Sequence, residues 1–121
     1  MAFAETLAWL GLALIHLLPA LAAVRPAMLE RLYGVAPGQA AHLLLEHRAL
    51  LFGAVVAGCL WAAVDPQPRP PALGLAGISV IGFLLVYARE GFPAGPLRLI
   101  AWVDLAALPL LGFLFWRQFA G

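Results

Sequence analysis

The sequence predicts an all-α membrane protein, a four-transmembrane-helix bundle with a hint of two parallel helical hairpins. Three observations carry that expectation. The first is composition. Of 121 residues, 64% are hydrophobic and only 11% charged, with a mean hydropathy of +0.98. A soluble domain is about half apolar and roughly a quarter charged. A chain this short leaves much of its surface exposed, so the excess of hydrocarbon has no core large enough to hide it. Lipid is the solvent that accepts such a surface.

The second observation is spacing. A helical span needs roughly 20 mostly apolar residues. Four windows qualify, at about 6–24, 41–64, 72–88 and 97–116 of a single integral membrane domain covering 1–121. Their apolar runs are continuous, which excludes the alternating pattern of a membrane barrel. The third is punctuation. RPAMLERLYGVAPGQA, DPQPRPP and REGFPAGP separate the windows, and each is rich in the Pro and Gly that interrupt helices.

The first window lacks a basic leading segment and is too long for a cleaved signal, so it is expected to stay as a helix. The connection after it has room for a short interfacial helix, with Met28, Leu29 and Leu32 toward lipid and Glu30 and Arg31 toward water. Pro70 and Pro71 blur the start of the third span. Gly34 and Gly38 precede the second span as Gly91 and Gly95 precede the fourth. That echo is what parallel hairpins related by an axis along the membrane normal would produce.

Every basic residue is arginine, and with the many Ala, Gly, Leu and Pro this points to a GC-rich, bacterial source. Arg25, Arg31, Arg89 and Arg98 flank one side, and Arg69 and Arg117 the other. The richer side is expected in the cytoplasm, which places both termini in the periplasm and the chain in the bacterial inner membrane. A net charge of +1 with no basic cluster gives no sign of a nucleic-acid partner. A lone Cys59 forms no intrachain disulfide and no thiol-exchange pair.

Polar residues then mark a candidate site. His16, Glu46, His47, Arg48 and Asp104 lie in the half of the spans next to the arginine-rich side, with Tyr87 at the end of the third span. The far half looks almost free of polar groups. A charge at mid-span costs roughly 2.5–3.5 kcal/mol on insertion scales, so such residues need partners. Helical phase puts Glu46 and His47 on faces rich in Ala and Gly, the expected inward direction, since small residues mark close helix contacts. Arg48 would snorkel to the headgroups or reach round to Asp104. Pro19 and Pro109 would free the carbonyls of Ile15 and Leu105, beside His16 and Asp104.

A plainer reading stands beside this one. A bundle keeps an ion pair such as Arg48–Asp104 merely to fix helix order, Arg89 and Arg98 anchor at headgroups, and the four Trp residues pack or sit at the interface. Against it stands the convergence of His16, Glu46, His47 and Asp104, which fits a pocket for a quinone- or lipid-like amphipathic molecule, or an accessory subunit docking on a larger membrane complex or a second copy of itself. In the binding version Arg48 or His47 holds a polar headgroup, and Glu46 and Asp104 orient those bases.

A proton-coupled small exporter is the alternative, with Glu46 or Asp104 as the proton carrier. It would match the small multidrug exporters in length only, since their essential Glu lies in the first span, where this chain has His16. Haem held by His16 and His47 is the weaker cofactor candidate, and a divalent metal on His16, Glu46, His47 and Asp104 lacks the usual ligand spacing. No nucleophile motif argues for an enzyme.

LYG at 32–34, HRALLFG at 47–53 and WVDLAAL at 102–108 resemble the small four-helix bacterial proteins of the DoxX-like group. The resemblance implies a four-helix membrane fold, with His47, Arg48 and Asp104 as the family-like positions. It also implies kinship with subunits of membrane redox complexes that pass electrons to quinone. Some such short chains carry the label phosphopantetheine adenylyltransferase, but the HxGH motif of that activity is absent here.

Overall fold

The computed structural model describes residues 2–21, 25, 27, 30–31, 34–35, 38, 40–95 and 97–120. Four long helices carry the chain: α1 (Ala2–Leu21), α2 (Ala40–Val64), α3 (Arg69–Arg89) and α4 (Leu97–Phe119). All four are long and apolar enough to cross a membrane. α1 begins four residues before the first expected window and is described to Leu21, while α2, α3 and α4 cover their windows and run one to three residues past them. Pro70 and Pro71 do not delay α3, because they occupy its first turn, where a missing N–H has no partner to lose.

Residues 27, 30 and 31 are helical, with Glu30 and Arg31 exposed. Met28, Leu29 and Leu32, the expected lipid side of that short helix, lie outside the described residues.

The helices form a ring in which α1 packs most extensively on α2, then α3 on α4, with α1–α4 and α2–α3 closing it. That order is two hairpins laid side by side. Gly34, Gly38, Gly91 and Gly95 all have positive φ, between 71° and 119°. In each connection the second glycine stands two residues before the next helix, at Ala40 and at Leu97. The repeated spacing therefore has a backbone cause: both hairpins turn through the left-handed region, which glycine enters without steric cost.

The interior is made of small side chains. Ala8, Ala13, Ala49, Cys59, Ala62, Ala63, Ala72, Ala76, Ala101 and Ala107 are buried, with Trp9, Leu12, Val80 and Leu114 filling the gaps between them. Leu43, Leu44, Leu85, Ile78 and Phe115 face outward. Lipid tails are as apolar as leucine, so no hydrophobic force drives large residues inward, and small ones let the backbones approach. α1 and α4 come close at Gly11, where a Cβ would lie 3.0 Å from Leu110 Cδ1. Trp61, Trp102 and Trp116 are exposed near helix ends, whereas Trp9 belongs to the core.

At the end opposite the arginine-rich connections, one carboxylate gathers three helices. Glu5 of α1 accepts from Arg69 Nη1 of α3 at 2.9 Å through one oxygen. Its other oxygen accepts from Arg117 of α4, with Nη2 at 2.8 Å and Nε at 2.9 Å. Arg69 Nε donates to the Ala62 carbonyl at 2.7 Å, and Thr6 Oγ1 to the Ala63 carbonyl at 3.2 Å, which ties in the last turn of α2. The expectation of an almost unpolar far half is corrected here. Glu5 lies near the chain start yet inside the bundle end, with its side chain only 15% exposed.

Candidate functional site: an intramembrane pocket at the arginine-rich end

Across the bundle from that clasp, four side chains meet at one depth. His16 of α1 faces Phe52 of α2, with ring centroids 5.9 Å apart, and its Nε2 lies 3.0 Å from Ser79 Oγ of α3. The α1–α4 register set by Gly11 against Leu110 puts Asp104 of α4 at the same level. His16–Ser79 runs diagonally across the ring, so this layer spans the bundle interior.

The histidine's tautomer follows from its partners. His16 Nδ1 is 2.9 Å from the Leu12 carbonyl, which only accepts, so Nδ1 carries a proton and donates it. In the neutral ring Nε2 is then an acceptor, and the Ser79 hydroxyl donates to it. Both ring nitrogens are thereby engaged, and the imidazole is fixed in orientation.

Arg48 sits one turn nearer the arginine-rich end. Its guanidinium carbon lies 5.0 Å from the Phe52 ring centroid and 5.7 Å from that of Phe83. Such contacts are worth about 0.5–2 kcal/mol, more as water is excluded. Arg48 and Asp104 line the same cavity. Asp104 is buried, 9% exposed, between the two helices that flank it.

A cavity of about 310 Å³ opens among these groups. Leu14, Ile15, His16 and Pro19 of α1 form one wall, and Leu99, Ile100, Val103 and Asp104 of α4 the other, with Arg48 and Phe52 behind. Leu14 and Leu99 at its rim are 69% and 58% exposed, so the opening faces the lipid side of the bundle. α1 and α4 touch at Gly11 and Leu110 and enclose this space farther along. Pro19 interrupts α1 beside the space, and Pro109 interrupts α4 just before the point of contact.

The sequence-derived residues divide. His16, Arg48 and Asp104 come together in the cavity. Glu46 does not join them: its Oε1 lies 3.2 Å from His42 Nδ1, one turn back on the same helix. His47 is exposed, on the outer side of α2. The inward direction expected for Glu46 rested on Ala49, Gly53 and Ala57, and that for His47 on Ala54 and Gly58; Ala49 is buried, whereas Ala54 and Ala57 are exposed. α2 packs through His42, Ala49, Cys59, Ala62 and Ala63, which leaves His47 on the far side and brings Arg48 round.

His16 and His47 consequently do not face each other as a haem pair would require. Among the described residues, no three of His, Cys, Asp and Glu group as metal ligands. Tyr87 is buried but serves the α3–α4 connection. Its hydroxyl donates to the Pro93 carbonyl at 2.5 Å, and its ring meets Phe83 at 5.8 Å and Phe92 at 6.0 Å. Phe92, at a φ of 55°, is held in that unusual conformation by its N–H on the Tyr87 carbonyl at 3.2 Å.

Ser79, Phe52 and Phe83 are the site residues that sequence reasoning passed over. Ser79 is the one serine in the sequence, which is the signal that would have found it. No protein family matches this chain, and neither a curated protein nor a solved structure matches it.

Proposed function

We propose that this multi-pass membrane protein binds an amphipathic molecule inside the bilayer, its polar head on Arg48 and its tail in the cavity between α1 and α4. The observation that carries the reading is the meeting of His16, Arg48 and Asp104 from three helices around an apolar space. At about 310 Å³ the cavity falls in the range of roughly 300–1,000 Å³ typical of ligand pockets, which pair apolar walls with a few convergent polar groups. Charged residues within a span are expensive and usually functional. Arg48 supplies a forked donor, Asp104 opposes it and holds it in place, and His16, fixed by Leu12 and Ser79, closes the deep end.

The likeness to DoxX-like proteins, carried by three short motifs, is compatible with a quinone or lipid as the bound molecule and with service to a larger membrane complex. With Arg25, Arg31, Arg89 and Arg98 exposed on the pocket side, that side belongs at the cytoplasmic leaflet of a bacterial inner membrane and the termini in the periplasm.

The test is mass spectrometry of organic extracts from the chain purified in mild detergent, wild type beside Arg48→Gln. Wild type is expected to retain one amphipathic species in a fixed ratio to protein. Arg48→Gln should retain about tenfold less, because a hydrogen bond to a charged group contributes roughly 1.5–3 kcal/mol. Equal retention by the two, or none by either, overturns the reading.

A further inference from the structure

The α1–α4 cavity is one of two that share a wall. On the opposite side of the bundle, between α2 and α3, lies a groove of about 700 Å³. Leu51, Ala54 and Val55 line it from α2, and Leu75, Ser79 and Val86 are among its residues from α3. Arg48 and Phe52 line both spaces. His16 faces the first and its hydrogen-bond partner Ser79 faces the second. One guanidinium thus stands at the head of two apolar clefts that open to lipid in opposite directions.

Resting on the pocket reading above, we infer that the ligand is a two-chain anionic lipid, its phosphate on Arg48 and one acyl chain in each cleft. A single-tailed molecule such as a quinone would use one cleft and leave the other idle. A phosphate suits the guanidinium better than a neutral carbonyl does, because the planar fork donates two parallel hydrogen bonds to paired oxygens. Depth also fits. The 25 residues of α2 span about 37 Å against a hydrocarbon core of about 30 Å, so Arg48, eight residues in, lies roughly 8 Å inside the boundary, where a headgroup drawn into the clefts can meet it.

The whole chain in detergent, stripped of lipid and incubated with defined molecules, tests this by native mass spectrometry. The probes are diacyl phosphatidylglycerol, its single-chain lyso form, diacylglycerol and a ubiquinone. Diacyl phosphatidylglycerol is expected to be retained about tenfold over both the lyso form, which lacks a chain, and diacylglycerol, which lacks the phosphate. Two rim substitutions block the clefts one at a time: Leu99→Trp on the α1–α4 side and Ala54→Trp on the α2–α3 side. Both positions are exposed, so neither disturbs the core, and helicity by circular dichroism verifies folding.

Each should lower diacyl retention about tenfold. If Leu99→Trp abolishes retention while Ala54→Trp leaves it unchanged, the ligand has one chain; the inference then fails and the pocket reading stands. Preference for ubiquinone, or diacylglycerol bound as well as phosphatidylglycerol, also overturns the inference alone. Retention of every probe unaffected by Arg48→Gln and by both rim changes overturns inference and reading together.

Discussion

The two ends of this bundle hold similar charges to opposite purposes. At one end Glu5 spends both carboxylate oxygens on Arg69 and Arg117, at 2.8–2.9 Å, and the charges are closed on one another. At the other, Arg48 and Asp104 line a cavity of about 310 Å³ together with His16. The first arrangement joins helices. The second places polar groups in the wall of a cavity inside the membrane. Burial does not separate them, since both sets lie largely within the protein; what differs is that the clasp charges close on one another, whereas Arg48 packs on Phe52 and Phe83 beside an open space.

Substitutions can break that comparison, and Glu5→Ala should do so most strongly. It leaves two half-buried arginines without their counter-ion. Removing one partner of a buried pair costs roughly 3–5 kcal/mol, and partial exposure brings the expectation to about 3. Thermal or denaturant unfolding in detergent reads the loss. A change below about 0.5 kcal/mol, typical of a surface site, would mean that the clasp contributes no more than a surface pair.

Next is Gly11→Val, which drives a branched side chain into Leu110 where α1 and α4 touch. Overpacking of this kind costs about 1–3 kcal/mol. Because the same contact sets the width of the neighbouring cavity, the variant should also alter ligand retention, and unchanged stability would show that α1 and α4 part easily.

Ser79→Ala removes the donor to His16 Nε2. An interhelical hydrogen bond in a membrane is worth about 0.6 kcal/mol on average, so a fall of that order is expected, together with an altered imidazole resonance in the nitrogen NMR spectrum. The smallest effect belongs to His47→Ala. With its side chain on the outer face of α2, it should shift stability by less than about 0.5 kcal/mol and leave ligand retention intact. A clear loss of retention would put His47 in the site.

The fold was legible in the sequence because hydropathy reports it directly: a run of apolar residues long enough to cross lipid is a helix for want of alternatives. The depth of His16, Arg48 and Asp104 was legible for the same reason, since position along a helix converts to depth at a fixed rise. Rotation about the axis was harder to read. Small residues cover more than one face of α2: Ala49, Gly53 and Ala57 marked the side of Glu46, and Ala54 and Gly58 that of His47, yet Ala49 packs with Cys59, Ala62 and Ala63 while Ala54 and Ala57 are exposed. The Glu5 clasp was invisible because it is not local: its three residues are separated by 64 and 112 positions, and each sits at a helix end where an ordinary interfacial charge is expected.

The clasp also imposes an order on biogenesis. Glu5 belongs to the first hairpin, and both of its arginines belong to the second. A nascent chain therefore enters the bilayer with a carboxylate whose first cation in the clasp comes with α3 and whose second comes at the end of α4. The first hairpin is left waiting, and closure of the ring is the event that reports an assembled bundle. A ribosome stalled before Arg117 would hold an incompletely neutralised, easily opened bundle, the kind of substrate that membrane quality control removes.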